Sequence, residues 1–236
     1  MKNVESVNLQ EVQEKLYERL KPSGWADKLK GFILSDDFTK ILTTLLVEAQ
    51  DGKRFTPVIK QLFRAFEECP YDSLRVVILG QDPYPYKDVA DGIAFSCSND
   101  KVIQPSLRYM FKEIETTVYS GKTYTREPDL KRWANQGVLL LNTALTTTIN
   151  QIGSHYILWQ PFLAYLLDIL NFGKPGLVYV FMGKKAQDWS HSIPENNHRI
   201  NTIHPAAAAA YNKDESWDSE DVFNKINKHL KQPIIW

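Results

Sequence analysis

Residues 75–96 read RVVILGQDPYPYKDVADGIAFS. Val76-Val77-Ile78-Leu79 is a short apolar run, rich in β-branched residues and flanked by turn formers, which is the pattern of a buried strand. Gly80 ends it, and Gln81-Asp82-Pro83-Tyr84-Pro85 follows. Asp-Pro is a turn signal, and each proline pushes the residue before it out of the helical region. The stretch therefore predicts a stiff loop at the carboxyl end of a strand, carrying a carboxylate and an aromatic ring. Thirteen residues past Asp82 come Phe95 and Ser96. An aspartate before proline is most often only a turn former, so the weight of a functional reading comes from the rest of the chain.

Toward the C-terminus the same pattern recurs. Val138 to Leu141 is a second buried run, ending at Asn142. Leu177 to Phe181 is a third, ending in Met182-Gly183, and Arg199 to Ile203 a fourth, ending at His204-Pro205. Helical spacing of apolar residues predicts helices between them, over 105–119, 129–136, 158–172, 184–189 and 218–230. Toward the N-terminus, helices are expected over 8–20 and 37–49. A third should start at Thr56 as N-cap, with Pro57 at the first helical position and Val58, Leu62, Phe63 and Phe66 on its apolar face. Strands alternating with helices imply an α/β fold: a single domain over residues 1–236, with a mostly parallel sheet of four strands covered by helices on both faces, a four-stranded parallel sheet if all run the same way. If the strands are parallel, Asp82, Asn142, the Gly183-Lys184-Lys185 turn and His204 converge on one edge, where open α/β sheets bind ligands. Singly, Asn142 reads as a cap, His204 as a satisfied loop histidine and the lysines as a solvated turn. Together they favour a site.

Composition excludes several classes. The 28 basic and 28 acidic residues cancel, so any nucleic-acid surface must be a local patch. Cys69 and Cys97 lack metal-ligand spacing and cannot supply the thiolates of an iron–sulfur cluster; reduced thiols are expected. No apolar run reaches membrane-spanning length, and the polar N-terminus has no signal-peptide core.

GQDPY at 80–84, GIAFS at 92–96, QPSL at 104–107, WANQGVLLLNTALT at 133–146, GKKAQ at 183–187 and HP at 204–205 resemble family 1 uracil-DNA glycosylase. The likeness runs from about residue 54 to the QPIIW ending; residues 1–53 carry no such signal. The resemblance implies a monofunctional hydrolase that flips uracil out of DNA and cleaves its N-glycosidic bond, leaving an abasic site, with no metal or organic cofactor. Its implied partners are uracil-containing DNA, single- or double-stranded, and a DNA-mimic protein inhibitor. A monomer is expected, cytoplasmic, or in the nucleus or a virus-infected cell if the host is eukaryotic or the source viral.

By the same resemblance, Phe95 stacks on the uracil ring and Asn142 reads its edge, donating to O4 and accepting from N3–H. Cytosine presents the opposite pattern at both atoms, and mispaired buried polar groups are costly. Tyr84 stands against C5, where thymine carries a methyl. Asp82 stabilises the cationic sugar and orients the attacking water, with Gln81 beside it, and His204 donates as a neutral group to uracil O2. Ser106 and Ser154 match serines that hold phosphates. The chain departs from the family at Pro85, where a histidine is usual. It departs most after His204, where HPSPLS becomes His204-Pro205-Ala206-Ala207-Ala208-Ala209-Ala210-Tyr211. Ala208 replaces the intercalating leucine, and Tyr211 is the expected substitute wedge on a helix starting after His204. Two other readings stand beside excision of uracil: a catalytically weakened DNA-binding or replication accessory protein, and a glycosylase for another damaged base.

Overall fold

The computed structural model describes residues 8–98, 102–122, 124–207 and 217–236. Three helices open the chain: α1 (Leu9–Leu20), α2 (Ala26–Ile33) and α3 (Asp36–Gln50). Asn8 caps α1 by accepting from the Glu11 N–H, and Ser35 caps α3 by accepting from the Phe38 N–H. The helix α2 was not expected. It places Trp25, Leu29, Phe32 and Ile33 in the core.

The expected helix starting at Thr56 does not form there. Phe55–Thr56 is instead a short strand, β1, and Ile59–Gln61 is a single 3-10 turn. Only Arg64–Glu68 becomes a helix, α4. The local signals at Thr56 and Pro57 are overridden by pairing with a partner far along the chain: β1 runs antiparallel to Thr147–Thr148, below called β4.

Next come β2 (Val76–Gly80), α5 (Pro105–Thr117), α6 (Lys131–Ala134), β3 (Val138–Asn142), β4 and α7 (Tyr156–Gly173). The chain closes with β5 (Val178–Met182), α8 (Lys184–Gln187), β6 (His198–Thr202) and α9 (Val222–Lys228). Pro105 occupies the first position of α5, where its missing N–H is harmless. The last helix is shorter than the expected 218–230.

The main sheet is four-stranded and parallel, in the order β3-β2-β5-β6. Every residue of β2 and β5 is buried, as central strands require, whereas the edge strand β6 is partly exposed. The chain leaves β2 toward β3, then crosses back to β5 on the other side. The carboxyl end of β2 is therefore the point where the strand order reverses, and a crevice opens there. Gln81 and Asp82 lie at that point.

The N-terminal helices are part of the core. Trp25, Phe38, Phe63, Phe66 and Phe162 pack ring against ring at centroid distances of 4.8–5.9 Å. The Trp25 indole N–H donates to the Cys69 carbonyl at 2.7 Å. A second cluster joins Trp133, Phe223 and the terminal Trp236. Cys69 and Cys97 are buried free thiols, and burial pushes Cys69 up to about 12. No described helix is long and apolar enough to cross a membrane.

Candidate active site

The strand ends deliver the expected residues to one place. Asp82 follows β2, Asn142 ends β3, Gly183-Lys184 follows β5, and His204 follows β6. Backbone bonds tie β3 to β2 beyond the sheet: the Thr143 and Ala144 N–H groups donate to the Gly80 and Gln81 carbonyls, and the Thr143 hydroxyl to the Gln81 carbonyl at 2.7 Å.

Pro83, Tyr84, Phe95, Leu141 and Asn142 line one cavity. A Cβ on Gly80 would lie 2.5 Å from Asn142 Oδ1 and 2.9 Å from Phe95 Cζ, so a side chain at this position would displace both. Phe95 itself takes a left-handed φ of 66° while buried, a conformation costly for a bulky residue and typical of functional loops. Its neighbour Ala94 is pinned by donation to the Leu140 carbonyl. The Tyr84 hydroxyl donates to the Phe95 carbonyl at 2.9 Å. The ring is thereby fixed between the two prolines expected to stiffen it.

Asp82 is half-buried, and each carboxylate oxygen has a donor. The Gly153 N–H reaches Oδ2 at 2.7 Å and the Tyr156 hydroxyl reaches Oδ1 at 3.0 Å. Burial raises its pKa above the usual carboxylate value, and the two donors oppose that rise. Tyr156 was missed in the sequence, although it lies two residues from Ser154. Gln81 Nε2 would be 2.5 Å from a Cβ on Gly183, and the His204 Cβ 2.8 Å from it, so glycine at φ +90° lets the β2 and β6 ends meet across β5.

His204 accepts at Nδ1 from the Ala206 N–H at 3.1 Å. A ring nitrogen that accepts is unprotonated, so the neutral ring carries its proton on Nε2. Burial pulls the pKa down to about 4, which keeps the ring neutral at physiological pH. Its ring lies 5.6 Å from that of Phe95. Residues 205–207 are helical, and the Ala207 N–H donates back to the His204 carbonyl. The helix expected after His204 therefore begins at Pro205. Ala208 and Tyr211 lie outside the described residues.

Ser106 is buried in the first turn of α5. Ser154 is exposed, but its Oγ accepts from the Thr148 N–H at 2.8 Å and sits 3.2 Å from Thr147 Oγ1. Its hydroxyl is thus engaged in holding its own loop.

Two supporting networks had no signal in the motifs. Asp91, fully buried, bonds to Ser96 Oγ at 2.6 Å and to the Arg64 guanidinium at 2.8 Å, and accepts from the Ile93 and Ser98 N–H groups. This holds the Phe95 loop in shape. In the second, the Trp159 N–H donates to Thr146 Oγ1, which shares a hydrogen bond with His155 Nδ1 at 2.8 Å, and His155 Nε2 shares one with Glu48 of α3 at 3.0 Å. His155 lies between Gly153 and Tyr156, the donors to Asp82. No cluster among the described residues could hold a metal ion.

The sheet edge offers an aromatic platform, an amide, a hydrogen-bonded carboxylate and a neutral imidazole donor. The family model for the Uracil DNA glycosylase superfamily matches residues 66–231. A uracil-DNA glycosylase from Acinetobacter baumannii (strain SDF) is 36% identical over 230 residues, covering 95% of each chain. The crystal structure of mimivirus uracil-DNA glycosylase superposes with a TM-score of 0.81 at 27% identity, covering 93% of this chain and 88% of that one. A tyrosine-to-leucine variant of the mimivirus enzyme, solved in complex with UGI, superposes at 0.80 with 27% identity, covering 92% and 90%.

Proposed function

Since the chain belongs to the uracil-DNA glycosylase superfamily and excises uracil from DNA in repair, we propose that it does so as a monofunctional, family 1 hydrolase, with Asp82 and His204 as its catalytic groups. The observation that carries this assignment is the packing over Gly80, where the Phe95 ring and the Asn142 amide both close on one backbone position, so that a methyl there would meet each of them. A planar base stacked on Phe95 has its edge at Asn142.

A base inside a duplex cannot reach this crevice, so it must be extruded, at a cost of a few kcal/mol. Phe95 receives the ring face. The Asn142 amide donates to uracil O4 and accepts from N3–H, and the fixed Tyr84 ring occupies the space a C5 methyl would need. Breaking the bond between the sugar C1′ and uracil N1 leaves positive charge on the sugar and negative charge on the base. Asp82 faces the first as an anion and orients the water that adds to C1′, with Gln81 beside it. His204 faces the second through Nε2–H. A neutral donor aimed at a developing oxyanion is preorganised stabilisation, and losing one costs about 3–4 kcal/mol. Ser106 and the Gly183-Lys184-Lys185 turn hold phosphates, which positions DNA without reading sequence. Ala208 and Tyr211 occupy the wedge segment, with Tyr211 filling the vacancy. Binding of a DNA-mimic inhibitor to this edge, and action as a monomer, complete the reading.

Retention of Asp82, Asn142 and His204 together weighs against a mere binding module, which needs none of them. The test is incubation with single-stranded and duplex oligonucleotides bearing one uracil, followed by alkaline cleavage. Strand breaks at the uracil, absent with the Asp82→Asn variant, support the assignment. Breaks of equal yield with that variant overturn it.

A further inference from the structure

Lys53, Arg54, Lys60 and Lys87 line one open cleft beside the site, accompanied there by a single acidic side chain, Asp88. All are exposed. Lys87 lies 3.7 Å from Asp88, a surface pair of little strength. Among the described residues, Lys53, Arg54 and Lys60 form no ion pair. A local excess of positive charge in a chain whose 28 basic and 28 acidic residues cancel marks a surface for a polyanion.

The cleft is joined to the Asp82 loop by one piece of backbone. The Ile149 N–H donates to the Arg54 carbonyl at 2.7 Å, and the Asn150 N–H to the Pro85 carbonyl at 2.8 Å. Gly153, further along the same loop, donates to Asp82. Ile149 itself lines the cleft, and so does Gln61. The Gln61 carbonyl would lie 1.9 Å from a Cβ on Gly92, so the cleft also backs onto the loop that carries Phe95. The segment between Ile149 and Gly153 is a tight turn, in which the Gln151 N–H donates to the Thr148 carbonyl at 2.9 Å and the Thr148 N–H to Ser154 Oγ at 2.8 Å.

We infer that this cleft is an accessory binding track for the phosphodiester backbone of the substrate strand, engaging it beyond the nucleotides that immediately flank the extruded uridine. The inference rests on the uracil-excision reading above. Each lysine or arginine that neutralises a phosphate adds affinity that falls with salt, and carries no base information. The track therefore raises affinity for long strands and leaves the chemistry at Asp82 untouched.

The test compares the full-length parent with the triple variant Lys53→Glu, Lys60→Glu, Lys87→Glu on oligonucleotides whose single uracil is flanked by two or by ten nucleotides on each side. On the long substrate, the single-turnover half-saturation concentration should rise at least tenfold with the maximal rate unchanged. The slope of log affinity against log salt should fall by about 2, from three contacts at about 0.7 each. The short substrate should show neither effect. The corresponding glutamine triple variant should lose less, in the same direction. Unchanged affinity for the long substrate, or an equal loss on both, overturns the track. Absence of uracil release by the parent from either substrate would overturn the excision reading instead, and the salt slopes for binding would still report on the cleft.

Discussion

Tyr156 donates its hydroxyl to Asp82 Oδ1 at 3.0 Å, and so α7 holds the carboxylate that the β2 loop presents. The donor stabilises the ionised form and opposes the rise that burial imposes on Asp82. Removing it must push that pKa higher still. Tyr156→Phe should therefore move the acid limb of the kcat profile to higher pH and lower kcat at neutral pH by about tenfold, the scale of a lost hydrogen bond to a charged group. A pH–rate profile checks it. An acid limb that stays in place would show that the bond does not tune Asp82.

Asp82→Asn should bind uracil-containing DNA nearly as well as the parent and cleave it more slowly by orders of magnitude, because charge stabilisation acts in the transition state. His204→Ala should lose about 100- to 1000-fold in single-turnover rate. With His204 pulled down to about 4, its ring stays neutral from pH 5 to 8, so its contribution should be flat across that range. Nitrogen NMR should place the proton on Nε2, the tautomer that the Ala206 N–H selects. A His204 resonance titrating near its ordinary value would contradict the burial seen here.

Gly80→Ala introduces a methyl 2.5 Å from Asn142 Oδ1 and 2.9 Å from Phe95 Cζ. The expected outcome is a fall of more than about 100-fold in kcat/KM, equal to roughly 3 kcal/mol, while the thermal midpoint changes little. Steady-state kinetics and a melting curve on the same preparation decide it. Parental kcat/KM would mean that the base does not sit where Phe95 and Asn142 meet.

Asn142→Asp should admit some cytosine, since a protonated carboxyl presents a different donor pattern to the base edge. Tyr84→Ala should admit some thymine by removing the ring that meets its methyl. Release of free bases from oligonucleotides carrying uracil, cytosine or thymine measures both. Unaltered base profiles would remove the reading roles assigned to these side chains.

Arg64→Ala leaves the Asp91 carboxylate buried without its cation. Loss of one partner of a buried pair costs about 3–5 kcal/mol. The Ser96 hydroxyl and the Ile93 and Ser98 N–H groups still serve Asp91, so about 3 kcal/mol is expected. Denaturant unfolding gives the value directly.

The strands and the residues at their ends were legible in the sequence because both are local signals: apolar runs of strand length, each broken by a turn former or polar residue. The helix expected at Thr56 failed for the opposite reason. Its cap and proline are good local signals, but Phe55 and Thr56 pair with Thr148 and Thr147. Tyr156, Asp91 and Glu48 were not legible, because each acts on a partner that only the tertiary fold brings near. No nearby residue marks a tyrosine at the start of a helix as the donor to a carboxylate 74 positions earlier. His204 was legible as a neutral donor only through the family resemblance; the structure adds the Ala206 N–H that makes it one.

The hydrogen-bonded chain from Trp159 through Thr146 and His155 to Glu48 has a consequence for any attempt to recombine this enzyme with a relative. The motifs quoted above all lie after residue 53, so residues 1–53 invite replacement as a detachable leader. Yet Glu48 meets His155, and Gly153 and Tyr156 on either side of that histidine meet Asp82. A graft with its seam between α3 and β1 would separate two halves of one joint. The heritable module is α3 together with the 146–159 segment, and a working hybrid has to inherit both from the same parent.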